Sequence, residues 1–153
     1  MKIKIFTDGS YNRKTKKIGW AFIILDEYGN ILAEECGSSD LECYCSANNV
    51  GGEVLAVQRA ILFVSEQLLE FIPVEKIELC YDYIGVEMWT TPHKKQWNAE
   101  TAISKNYKRL CIPIINSFIN FGIDFDYKKI KSHSSNKWND YVDRLANAMA
   151  FKQ

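Results

Sequence analysis

Ile3-Lys4-Ile5-Phe6-Thr7-Asp8-Gly9-Ser10 is the stretch on which the reading of this chain turns. Ile3 and Ile5 fall on one face and Lys2 and Lys4 on the other, which is strand period. Gly9 and Ser10 are expected to break the strand just after Asp8. A carboxylate at the C-terminal end of a strand stands where open α/β sheets place their ligands. By itself Asp8 reads as a turn residue. Isolated carboxylates at the ends of other elements change that reading.

The 153 residues are the size of one domain, read as 1–153. Apolar residues make up 47% and charged residues 25%, an ordinary globular composition that can bury a core without staples. No apolar run reaches the length of about 18 residues needed to span a membrane. Met1 leads straight into the first strand, so no signal peptide is expected. The five cysteines have no repeated spacing, and Cys43-Tyr44-Cys45 is too close for a zinc pair. A reducing cytoplasm is the expected compartment, and a monomer the expected state.

Formal net charge is zero, with 19 basic and 19 acidic residues, which argues against binding by bulk charge. The cations are clustered, however. Arg13, Lys14, Lys16 and Lys17 form one group, and Lys94, Lys95, Lys105, Lys108 and Arg109 a second. Lys128, Lys129, Lys131 and Lys137 form a third. Such clusters are usually solvated faces, but three in one domain can line a backbone-binding surface.

Outward from the first strand, Ile18 to Leu25 is a continuous apolar run, the pattern of a buried strand. A turn at Asp26–Asn30 joins it to a third strand, Ile31 to Cys36, as a hairpin. Gly37 to Asn49 reads as irregular. Val54, Val57, Ile61, Val64 and Leu68 recur at helical spacing, predicting a helix from Val50 to Phe71 closed by Pro73. Lys76 to Tyr81 is a fourth strand ending at Asp82. A short helix over Tyr83–Trp89 and a loop over Thr90–Asn98 follow. Ala99 to Phe121 reads as helix, with a kink or break at Pro113. Ile123, Phe125 and Tyr127 alternate with polar residues in a fifth strand. A loop precedes a last helix, Lys137–Phe151, with an apolar stripe of Trp138, Val142, Leu145 and Met149. The order predicts one mixed α/β sheet with helices packed on it.

Four acids sit at element ends: Asp8, Glu53 in the first turn of the long helix, Asp82, and Asp143 beside the last stripe. Each has a plainer role available, such as a helix-dipole partner for Glu53 or a cap for Asp82. Together, in this order of elements, they point to a shared site. Strands one and four, if parallel neighbours, bring Asp8 beside Asp82. Unpaired carboxylates held together are costly, and a divalent cation relieves the cost. An all-oxygen set suits Mg²⁺ or Mn²⁺ rather than zinc.

Thr7-Asp8-Gly9-Ser10, Gly19-Trp20-Ala21, Gly52-Glu53-Val54-Leu55-Ala56, Tyr81-Asp82-Tyr83, and His133 with Asp143-Arg144-Leu145-Ala146 resemble type 1 ribonuclease H. The resemblance runs from Lys2 to Ala150. It implies a five-stranded mixed sheet, second strand antiparallel, with helices on both faces. It also implies a carboxylate site of Asp8, Glu53, Asp82 and Asp143, and cleavage of the RNA strand of RNA–DNA hybrids. Two Mg²⁺ ions about 4 Å apart would hold the scissile phosphate, leaving 5′-phosphate and 3′-hydroxyl ends. His133, ten residues before Asp143, would shuttle protons or aid product release. Ser10, Asn48 and Asn49 are candidates for reading the RNA strand or the groove, and Trp89 or Trp97 for gripping the DNA strand. Asp140, three residues before Asp143, shares nearly its helical face. Members with the Tyr81–Trp89 pattern often carry a preceding hybrid-binding domain, which this sequence does not show. Two departures stand out: Asn48-Asn49 lies one residue further from Glu53 than in many members, and Tyr83 replaces a common Ser. The rival readings are an inactive hybrid-binding module and a nuclease of the resolvase or integrase kind.

Overall fold

The computed structural model describes residues 1–90, 101–131 and 136–152. Strands β1 (Lys2–Asn12), β2 (Lys17–Asp26) and β3 (Ile31–Ser39) form an antiparallel meander. Then come α1 (Glu42–Cys45) and α2 (Asn49–Phe63), whose last turn widens to a π-helix over Val64–Leu68. Strand β4 (Lys76–Tyr81), α3 (Gly85–Met88), α4 (Ala102–Asn120), β5 (Asp124–Lys129) and α5 (Lys137–Ala150) complete the order. The sheet runs β3-β2-β1-β4-β5, with β1, β4 and β5 parallel. This is the mixed five-stranded sheet, second strand antiparallel, that the resemblance implies.

Alternation along the strands builds two cores. Ile3 and Ile5 of β1, with Ile18, Trp20, Phe22 and Ile24 of β2, face α2 and α4. Phe6, Ala21, Ile23 and Leu25 face α5. Helices cover both faces of β2, which is why its sequence is apolar without interruption. Fully buried side chains such as Phe22 and Ile61 each stabilise the fold by about 1.5–3 kcal/mol. Among the described residues, no helix is long and apolar enough to cross a membrane.

Several boundaries differ from the sequence reading, each for a physical reason. β1 does not stop at Ser10 but pairs with β2 as far as Asn12↔Lys17. Gly9 is therefore a strand residue, placed to let another backbone approach. The long helix leaves α geometry after Phe63, where Leu69 N–H reaches Val64 O at 3.1 Å. Val64 and Leu68 stay buried, and Phe71 projects outward at 75% exposure. Pro113 lies inside an unbroken α4, at an exposed position where its missing N–H leaves no buried acceptor unpaired. The segment expected to be irregular contains α1, tied to α2 by Tyr44 O–H donating to Gln58 Oε1 at 2.6 Å.

The buried face of α5 is also turned from the expected stripe. Asn139, Val142, Ala146 and Ala150 are buried, whereas Leu145 and Met149 are only half covered. A Cβ on Gly19 would lie 2.0 Å from Ala146 O, so bare backbone on β2 meets small residues on α5. This close approach selects alanines and brings Asn139, Asp143 and Asn147 to one edge of the sheet.

Candidate active site

The last parallel pair between β1 and β4 is Phe6↔Cys80. Beyond it the two strands part, and Asp8 and Asp82 each follow two residues later. A crevice where parallel strands separate at their C-terminal ends is the usual ligand position in such sheets. Glu53 arrives from above. A Cβ on Gly9 would lie 2.1 Å from Gly52 C and 2.2 Å from Glu53 N, so glycine on both chains lets α2 settle onto β1. Carboxylate oxygens of Asp8, Glu53 and Asp82 lie within 4.8 Å of one another.

Asp143 enters from α5 and stands beside the Asp8 carboxyl, outside that closest trio. Asp8 Oδ1 also accepts from Gly9 N–H at 2.8 Å. Asp82 is 30% exposed, and Lys129 Nζ stands 3.9 Å from its Oδ1. The four acids line a cleft of about 420 Å³ together with Ser10, Asn49, Val50, Tyr83, Asn139, Asp140 and Asn147.

Burial dominates the electrostatics. It pushes the Asp8 carboxyl up to about 6, with Asp143 adding to the rise and the Glu53 hydrogen bond opposing it. Burial first, then the Asp8 charge, pushes Glu53 well above the carboxylate range. Burial and mutual repulsion thus favour the protonated form at both carboxyls of this pair. Glu53 Oε2 is buried with no hydrogen-bond partner. A buried polar atom without a protein partner calls for one, and a bound ion can supply it.

A model of the RNase H family matches residues 1–151. The chain belongs to the RNase H family. Solved structures of the fold agree. RNase H1 of the halophilic archaeon Halobacterium salinarum superposes with a TM-score of 0.73 at 17% identity, covering 97% of each chain. The N-terminal RNase H domain of rv2228c from Mycobacterium tuberculosis gives 0.68 at 15% identity, over 97% of this chain and 93% of that one. LC11-RNase H1, isolated from compost and solved in complex with an RNA/DNA hybrid, gives 0.65 at 17% identity over 95% and 96%. No curated protein matches.

The donor set fits the divalent cations that RNase H family members use. It is all oxygen, it comes from separate elements, and it leaves one buried lone-pair site unpaired. Asp8, Glu53 and Asp82 form the candidate cage, with Asp143 beside it.

The remaining expected residues fall as follows. Ser10 lines the cleft, and its hydroxyl donates to Asn147 Oδ1 at 2.5 Å. Asn48 and Asn49 are exposed at the start of α2. Asn48 has φ 56°, a left-handed backbone on a residue more tolerant of it than most, and Asn49 borders the cleft. Trp89 is 8% exposed and packs in the core between Tyr83 and Tyr107. Its neighbour Tyr83 lines the cleft. Trp97 and His133, with His93, Lys94 and Lys95, lie outside the described residues. Asn139 and Asn147 were not singled out from the sequence. The usable signal was their spacing, four residues either side of Asp143 on one helix face. Lys129 as the cation beside Asp82 had no such signal, because strand register alone brings them together.

Proposed function

We propose that this chain is a metal-dependent endonuclease that hydrolyses the RNA strand of RNA–DNA hybrids. The observation that carries the reading is the trio of Asp8, Glu53 and Asp82 with a buried, unpaired Glu53 oxygen, in a chain of the RNase H family. The hybrid bound by LC11-RNase H1, a protein of the same fold, supports the choice of substrate.

Asp8, Glu53, Asp82 and Asp143 would hold Mg²⁺ or Mn²⁺, two ions in the fullest version of the reading. Such ions, when bound, supply stabilisation of charge at the phosphate and activation of water for in-line attack. The protein's own residues set the geometry. Asp8 is fixed by its Gly9 hydrogen bond, and Glu53 is fixed by the helix turn seated on Gly9. Lys129 places a positive charge beside Asp82. The amides of Asn49, Asn139 and Asn147 offer donors along the cleft for phosphate or ribose oxygens. Ser10 and Asn48 remain candidate strand contacts, with Trp89 acting as support for Tyr83 and Trp97 as a candidate grip on DNA. His133 is assigned proton transfer from its spacing to Asp143.

The deciding experiment is a gel with labelled hybrid, duplex DNA, single-stranded RNA and a four-way junction, each with Mg²⁺ and with chelator. Only the hybrid should be cut, in its RNA strand, to 5′-phosphate and 3′-hydroxyl ends, and only with metal. Duplex DNA lacks the 2′-hydroxyl and single-stranded RNA lacks a groove of defined width. Efficient cutting of the junction would favour the resolvase-like reading. Binding of hybrid without cutting would favour the inactive module.

His133 has its own test. A proton-transfer group contributes about 10²–10⁴-fold, less if it only assists release. His133→Ala should slow turnover at saturating hybrid while leaving affinity nearly unchanged. Equal turnover in single-turnover and steady-state assays would remove His133 from the mechanism.

A further inference from the structure

The turn joining β1 to β2 is a one-sided charged surface away from the carboxylates. Arg13, Lys14 and Lys16 are exposed on it, Lys17 is half exposed at its end, and Lys152 is exposed next to it. In a chain whose formal charges cancel, five cations therefore gather within one short turn and the adjoining C-terminal residues. None of the five forms an ion pair among the described residues.

The turn is also held in place. Asn12 is buried, and its Oδ1 accepts from Lys14 N–H at 3.0 Å and Thr15 N–H at 3.4 Å. Its Nδ2 donates to Ala150 O at 3.3 Å, pinning the turn to the end of α5. Lys16 N–H closes the turn on Asn12 O at 2.7 Å, with Lys16 itself at φ 58°. A cavity of about 580 Å³ lies between the turn and the Phe151–Lys152 segment.

Geometry ties this turn to the cleft. Asp8, Ser10 and Asn12 alternate along one face of β1, and each meets α5: Asp143 at Asp8, Asn147 at Ser10, Ala150 at Asn12. One continuous surface therefore leads from the carboxylates to the cations. Four residues of strand separate Asp8 from Asn12, about 13 Å at roughly 3.3 Å per residue. For a duplex lying along β1 this is about four base pairs at the roughly 3.4 Å per base pair of B-form DNA, and slightly more in a hybrid's A-like helix.

We propose that this turn is a second grip on the nucleic acid, binding the phosphate backbone of the same duplex about four base pairs from the scissile position. The proposal rests on the hybrid-cleaving reading for its occupant. Phosphate contacts fix register and carry no sequence information. The turn thus adds affinity and orientation most for long duplexes, which reach it in many registers, and least for duplexes barely longer than the span between the two sites.

The test compares the parent protein with a variant carrying Arg13→Gln, Lys14→Gln, Lys16→Gln and Lys152→Gln. Binding is measured in chelator by fluorescence anisotropy, across a salt series, with hybrids of about 6 and about 18 base pairs. Each lost phosphate contact should lower the slope of log affinity against log salt by about 0.9. The long hybrid should therefore lose about 2–4 in slope and at least about tenfold in affinity at low salt. The short hybrid, which spans both sites in few registers, should lose less in slope than the long one, and turnover at saturating long hybrid should be unchanged. Equal slopes for the long hybrid, in variants that melt with the parent, would overturn the grip. Because binding is read without metal, a parent protein that binds but fails to cut would refute the nuclease reading and leave the slope comparison standing.

Discussion

Asp8→Asn is expected to abolish hybrid cleavage and, in chelator at pH 7.5, to melt higher than the parent protein. The loss of activity follows from removing a charged oxygen ligand from the carboxylate trio, an effect of several kcal/mol, or about 10³-fold or more in rate. The gain in stability follows from burial. The Asp8 carboxyl stands at about 6 in the folded protein against an ordinary value of 3.8. Between those two values the folded protein binds the proton and the unfolded chain does not. Stability of the metal-free protein therefore falls as pH rises through that window, and the penalty is complete above about 6. The full shift corresponds to about 3 kcal/mol, which proton sharing with Glu53 divides between the two groups. The amide carries no charge, so the variant escapes roughly 1–3 kcal/mol of this cost, on the order of 5 °C for a chain of this size. The difference in melting temperature should shrink as pH falls from 7.5 toward 4. Mg²⁺ should raise the parent's melting temperature more than the variant's, since it binds the folded state through these oxygens. A variant that melts lower than the parent in chelator at pH 7.5 would show that Asp8 acts as a structural acceptor rather than a buried charge.

Gly9→Ala should be severely damaging although it adds only one methyl group. The added methyl group would meet Gly52 C at 2.1 Å and Glu53 N at 2.2 Å, and both are backbone atoms that cannot rotate away. Either β1 or the start of α2 must move. Overpacking of this kind costs about 3 kcal/mol or more, a fall of roughly 10 °C. Glu53 rides on the displaced turn, so cleavage should be lost with the stability. Gly122→Ala is the matched control. It has φ 84° and nothing within 4 Å of the new methyl group, so it should cost only about 1–2 kcal/mol and leave activity intact. Denaturant unfolding of the two variants separates steric approach from backbone preference. A Gly9→Ala protein within about 1 kcal/mol of the parent and fully active would show that α2 does not rest on β1 as described.

The alternation in Ile3–Phe6, the unbroken run Ile18–Leu25 and the helical spacing from Val54 were enough to predict the mixed sheet and its helices. These patterns are legible because each reports a local period set by the backbone. The acids Asp8, Glu53, Asp82 and Asp143 were legible for a different reason: they are charged residues adjoining otherwise apolar elements, where charge is not needed for folding.

Tertiary structure decided the rest. Gly9 looked like a strand breaker in sequence and is a contact point, because its purpose lies in Gly52, more than forty residues away. The face of α5 was misjudged for the same reason. Large apolar residues mark a stripe in sequence, but bare Gly19 on β2 lies against the backbone of Ala146 and Ala150, so the small residues of α5 are the ones buried. That packing carries Asn139 and Asn147 into the cleft. Lys129 meets Asp82 only through the β4–β5 register. Hydrophobic period is a property of one segment and can be read along it. Close approach, register and burial-driven shifts in Asp8 and Glu53 depend on which segments meet and how nearly, and those distances exist only once the chain has folded.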